Sequence, residues 1–168
     1  MMQKLFFNLL IGFLLLIPVF SQTTTKIDEL EYFMCGDNYR LDLIYRNEIE
    51  NKLQNKIYII YYEGQREFFD IDYKTKKRIT VIENPKFGNA LNRAKEIPLF
   101  LKMVYKVPDN KFVLINGGFR ERFSMEIWNV PDGAEIPKAT PTLTRKDIKF
   151  AKGKPQGTRK MACCYESC

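Results

Sequence analysis

The side chains able to do chemistry are few, and one kind is missing. The 168 residues contain no His, which removes the commonest general base and metal ligand. There is no G-x-S-x-G elbow and no Gly-rich phosphate loop, so neither an activated serine nor a phosphate cradle is indicated. Carboxylates are scattered rather than paired. Four cysteines remain: Cys35, Cys163, Cys164 and Cys168. Cys163, Cys164 and Cys168 cluster as thiolate ligands would, but their spacing is not the paired C-x-x-C of zinc sites. In an oxidising compartment an even number implies disulfides, with three possible pairings. A bond between adjacent Cys163 and Cys164 would be badly strained. Joining Cys35 to one tail cysteine and Cys168 to another is the more comfortable arrangement. A catalytic cysteine would need an activating neighbour that the sequence does not supply. No metal, cofactor or enzymatic activity is expected.

Such a compartment is suggested at the N-terminus. Met1–Lys4 are followed by an apolar run, Leu5–Phe20, interrupted only by Asn8, Gly12 and Pro18, and then by Val19-Phe20-Ser21. This reads as a signal peptide over residues 1–21, cleaved after Ser21. The competing reading, an uncleaved anchor, is disfavoured by Pro18 and by a run shorter than the roughly 20 apolar residues that span a bilayer. A periplasmic or extracellular chain of 147 residues is expected, with no later membrane span. Its charge is lopsided: residues 1–137 carry 19 basic and 18 acidic groups, whereas residues 138–168 carry 8 and 2. A basic tail outside the cell suits an anionic envelope polymer or lipid headgroups, or is simply solvated. Nucleic acid is not an expected partner, because the basic residues lack interleaved aromatics for stacking.

The positioning elements follow from periodicity. Lys26–Phe33 is a weak strand candidate. Leu41, Ile44, Tyr45, Ile49 and Leu53 mark one apolar face of a helix running from an Asp37 or Asn38 cap to about Gln54-Asn55. Ile57–Tyr62 is β-branched and aromatic on both faces, and reads as an interior strand stopping at Glu63-Gly64. Phe69, Ile71 and Tyr73 alternate with polar residues, Lys74–Lys77 turn the chain, and Ile79–Ile82 return it. This predicts an inserted β-hairpin within about residues 65–88, with Lys76-Lys77-Arg78 near its tip.

A second helix is predicted from an Asn89 cap to about Tyr105, its buried stripe being Leu91, Ala94, Ile97, Leu101 and Val104. Pro98 should kink it or split it in two. Phe112–Ile115, apolar on both faces, predicts another interior strand, parallel to Ile57–Tyr62 through a right-handed crossover. A Gly117-Gly118 corner should lead to a half-exposed strand, Arg122–Val130, nearer an edge. Pro131-Asp132-Gly133 ends it. The Pro- and Lys-rich stretch 137–168 reads as a linker-like tail, with Ile148 and Phe150 as one short docking strand. The fold class is therefore α/β (an α+β sandwich): one domain over residues 22–136, a βαβαββ-type mixed sheet with two helices.

That order, together with Arg93-Ala94, Ile97, Phe100-Leu101, Val107-Pro108, Lys111-Phe112, Gly118-Phe119-Arg120-Glu121 and Met125-Glu126-Ile127, resembles the OmpA C-terminal domain family of peptidoglycan-binding modules. The motif content begins at Arg93. The resemblance implies a ligand site in which an acid after the second strand and the Arg of the Arg-Ala pair hold the diaminopimelate of the stem peptide. Arg93 stands at the matching Arg, and Glu63 is the nearest carboxylate to the acidic position. A carboxylate and a guanidinium suit the ammonium and carboxylate of that zwitterion. Two readings follow: an exported binding module for peptidoglycan or another anionic envelope component, or a structural or protein-interaction protein that kept the fold and lost the ligand.

Overall fold

A computed structural model describes residues 23–31, 38–52 and 54–158. The expected signal peptide, Leu53 and all four cysteines lie outside them. Among the described residues, eight main helices and strands build the domain. They are β1 (Thr25–Leu30), α1 (Asn38–Ile44, continued by a π turn at Tyr45–Ile49), β2 (Lys56–Ile71), β3 (Arg78–Glu83), α2 (Asn89–Ala94), α3 (Glu96–Tyr105), β4 (Phe112–Arg122) and β5 (Ser124–Val130). The result is a mixed α/β fold with a five-stranded sheet.

β2 organises that sheet. Its first half pairs antiparallel with β5 and parallel with β4, while its far end pairs with β3 in a hairpin. β1 lies antiparallel on the outer side of β5. The expected parallel partnership therefore exists, with Ile57 opposite Phe112 and Ile60 opposite Ile115. Setting the hairpin aside, the element order is βαβαββ.

Both helices lie on one face of the sheet. Leu41, Ile44 and Ile49 from α1 and Ala90, Ala94, Ile97, Phe100 and Leu101 from α2 and α3 pack with Ile57, Ile59, Met125 and Ile127. Burying each large aliphatic side chain here contributes about 1.5–3 kcal/mol. Tyr45 and Tyr105 stack with ring centroids 3.8 Å apart, joining α1 to α3.

Several expected boundaries move, each for a physical reason. The first helix widens into a π turn and ends near Glu50, where Lys52 and Asn55 amides close successive tight turns onto Ile49 and Lys52, rather than at Gln54-Asn55. The second helix breaks at Lys95 into α2 and α3, one of the two outcomes expected from Pro98, which lacks the amide that would bond back to Ala94. That break shifts the phase of the stripe: Phe100 is buried and Val104 exposed.

β2 does not stop at Glu63-Gly64. Gly64 is there because the β4–β5 corner crosses directly against it; a Cβ would stand 2.3 Å from the Arg122 carbonyl carbon. Gly117 and Gly118 likewise lie within β4 instead of ending it. Gly117 sits against the Tyr62 ring, and Gly118 takes φ +89° where the register with β2 shifts.

Two strands exchange their expected places. β4, expected inside the sheet, is an edge strand whose one partner among the described strands is β2, and Phe112–Ile115 are only half-buried. β5, expected near an edge, is interior and almost wholly buried. Its polar alternation is a partly buried network on the sheet face away from the helices, with Ser124 and Glu126 themselves buried. Arg120 bonds Glu126 (2.6 Å), Glu29 (2.7 Å) and Ser124 (3.0 Å), and its guanidinium lies 3.5 Å from the Tyr62 ring centroid. Burial alone would raise the Glu126 carboxyl, but hydrogen bonds from Arg120 and Trp128 outweigh it and hold it below the ordinary value.

The stretch read as linker-like runs back over this face and across the end of the sheet. Thr140 donates to the Tyr62 hydroxyl and Leu143 to the Phe119 carbonyl, while Phe150 meets Phe87 and Phe119 edge-on. The bridge to the sheet is made by Leu143; Ile148 and Phe150 form no strand. Removing Arg120 would leave Glu126 buried without its main counter-charge. We expect Arg120→Ala to lower unfolding stability by roughly 3 kcal/mol, measured by urea denaturation, against a much smaller loss for the exposed Arg46→Ala.

Candidate functional site

The site begins where the register between β2 and β4 shifts, at Glu63–Gln65. There Glu63 is buried, 5% exposed, against the chain entering α2. One carboxylate oxygen, Oε1, accepts the Gly88 amide at 2.6 Å and the Ala90 amide at 3.2 Å. Glu63 thus does the capping work expected of Asn89, satisfying free amides at the start of the helix from across the fold. Asn89 is instead the first helical residue, and its side-chain carbonyl accepts the Gln156 amide at 2.8 Å.

Arg93 stands on the last turn of α2, two residues before the break at Lys95. It does not face open solvent: it is 8% exposed. Its Nη1 donates to Glu96 Oε1 at 2.7 Å, and its Nη2 donates to the side-chain carbonyl of Gln156. Gln156 also accepts a hydrogen bond from the Asn92 side chain at its backbone carbonyl.

Glu63 and Arg93, far apart in sequence, line the same cavity at the C-terminal end of the β2–β4 pairing. It measures about 40 Å³, room for a few waters, and Asn84, Asn89, Phe123 and Gln156 also contribute walls. The second carboxylate oxygen, Glu63 Oε2, is buried and has no hydrogen-bond partner among the described residues. Burial pushes the Glu63 carboxyl above its ordinary value, against the opposing pull of the Gly88 and Ala90 amides. A half-satisfied buried carboxylate beside a buried guanidinium can take up a proton or a cationic group on one side while the arginine holds an anion on the other.

The sequence pointed to Glu63 and Arg93 only through a family resemblance, and it missed their neighbours. The Arg93–Glu96 spacing of three on a helix is a visible signal for an ion pair. Nothing local marks Gln156, which arrives from a distant stretch. Among the described residues no group of three or more acidic or thiol side chains could hold a metal ion, and no helix is long and apolar enough to cross a membrane.

No family model matches the chain. No curated protein and no solved structure matches it either.

The raised Glu63 carboxyl makes a signed prediction. A carboxyl whose folded value lies above its unfolded one contributes stability at low pH and loses it as pH rises through the folded value. The stability of the native chain relative to Glu63→Gln should therefore increase as pH falls from 8 toward the ordinary value of 4.5. Paired urea melts across that range measure it. A pH-independent difference would mean that Glu63 titrates normally.

Proposed function

We propose that this chain is an exported, non-enzymatic binding module of the bacterial envelope. Its ligand is a zwitterionic group of peptidoglycan, with Glu63 receiving the ammonium and Arg93 the carboxylate. The observation that carries this reading is that Glu63, whose buried Oε2 has no partner among the described residues, lines the same cavity as Arg93. An ammonium there would meet the missing hydrogen bond and the missing counter-charge together.

Position supports the reading too. The cavity lies beyond the carboxyl end of parallel strands, where α/β sheets place their ligands. The βαβαββ order and the Arg93 motif point to the same class of module. Gln156 must give way on binding, because its side chain already occupies the guanidinium.

A second reading has its own observation. Arg93 is held by Glu96 and Gln156, as a residue would be whose task is to fasten residues 155–158 to α2. On that reading the chain is a structural or protein-interaction component of the envelope that has lost its ligand.

Co-sedimentation with purified peptidoglycan separates the two. The binding-module reading expects retention of the native chain and, for Arg93→Ala, at least about tenfold weaker retention, the scale of one lost charge-assisted hydrogen bond. Absence of retention of the natively folded chain overturns it in favour of the second reading. Equal retention of both forms places binding elsewhere.

A further inference from the structure

The hairpin formed by the far half of β2 and by β3 leaves the sheet and carries apolar side chains into solvent. Phe69 is 60% exposed, Ile71 55%, Tyr73 80% and Ile82 61%. The pairing shows that these belong together: Phe69 lies opposite Thr80, Ile71 opposite Arg78 and Glu67 opposite Ile82. Side chains alternate along a strand, so Phe69 and Ile71 share one face with Ile82, and Tyr73 follows, exposed, in the turn just beyond β2. A two-stranded ribbon is marginal on its own in water, and a clustered exposed apolar face of this kind marks an interaction surface.

Charge says what covers it. Residues 73–78 hold four cations, Lys74, Lys76, Lys77 and Arg78, and no carboxylate. The nearby acids lie on the other face, are taken up within the turn, or are already paired. Asp70 lies opposite Ile79 on the other side of the ribbon. Asp72 is consumed within the turn, accepting the Lys74 amide at 3.0 Å and the Thr75 hydroxyl at 2.6 Å. Glu67, at the base of the apolar face, is paired with Arg122 at 2.8 Å. Cations also lie against the aromatics: the Arg78 guanidinium is 3.7 Å from the Phe69 ring centroid, and the Lys76 ammonium 6.0 Å from that of Tyr73.

An apolar, aromatic-bearing face ending in a cluster of basic residues matches the interface of an anionic bilayer. There rings sit at headgroup depth and cations meet lipid phosphates. We infer that the hairpin 66–83 is a membrane-surface anchor that lays Phe69, Ile71, Tyr73 and Ile82 into the interface of an anionic lipid leaflet while Lys74, Lys76, Lys77 and Arg78 hold its headgroups. The base of the hairpin, Arg66 and Glu83, borders the Glu63–Arg93 cavity, but Phe69, Ile71, Tyr73, Ile82 and the four cations do not line it. Substitutions among them therefore test the anchor separately from the cavity.

The test uses the full chain with vesicles of phosphatidylcholine containing one third phosphatidylglycerol, and with pure phosphatidylcholine as the reference. Tyr73→Trp serves as a reporter beside the native Trp128. Its emission should shift to the blue on anionic vesicles only, and the shift should fade as salt is added. Lys76→Glu with Lys77→Glu should weaken partitioning about thirtyfold or more, since each cation near the surface contributes about a factor of five. Phe69→Ser with Ile71→Ser, both exposed and expected to leave the thermal transition unchanged, should weaken it about tenfold or more.

Absence of a shift on anionic vesicles overturns the inference. Undiminished binding by Phe69→Ser/Ile71→Ser also overturns it, leaving a purely electrostatic attraction. A concentration-dependent dimer in sedimentation velocity that the same double substitution abolishes would overturn it too, and would assign the face to a second copy of the chain.

Discussion

Everything in this molecule is pinned to one strand. β2 runs unbroken from Lys56 to Ile71; its first half bonds β4 on one side and β5 on the other, and its far end bonds β3. Such a strand must be apolar on both faces where it is flanked on both sides, and Ile57, Tyr58, Ile59, Ile60 and Tyr62 are all buried. Past Gly64 its flanks fall away and its composition changes to alternating apolar and polar residues. One continuous backbone thus supplies the core, then the Glu63 carboxylate where the register with β4 shifts, and then an exposed ribbon.

The two faces of the sheet are covered by different physics. The helix side is filled with aliphatic and aromatic side chains. The opposite side is closed by Tyr62, Ile60 and a charged cluster of Arg120, Glu126 and Glu29, onto which Thr140 is tied by hydrogen bonds to Tyr62 and Arg120. A buried ion pair gains little over an apolar packing of the same volume, but its geometry is specific. Here that geometry directs residues 131–143 back across the sheet, and the same chain then brings Gln156 to Arg93. The cavity and its plug are downstream of that route.

Much of this was legible in the residues, and the failures are instructive. The two apolar runs and the helical stripe between them were enough to predict β2 parallel to β4, because a both-faced apolar strand has few other places to go. The same logic misplaced β4 at the centre, since half-burial on both faces of an edge strand produces a similar pattern. It also misplaced β5: Ser124 and Glu126 read as a wet face, whereas they are buried partners of Arg120, a residue on another strand. Gly64 and Gly117 read as stops because close approach of another segment leaves no local trace. Arg93 and Glu63 could be named from motif likeness. That Glu63 would cap α2, and that Gln156 would cover Arg93, depended on tertiary routes that no spacing encodes.

The central claim is that Glu63 is a buried carboxylate with one oxygen waiting for a cation beside Arg93. Its carboxyl carbon can be followed by NMR through a pH titration of the full chain, free and with diaminopimelate. The account predicts a free-state titration above the ordinary carboxylate value, drawn downward when the ligand's ammonium is present, with no such response in Arg93→Ala. An ordinary titration that ignores the ligand, in a chain that remains folded, would contradict it.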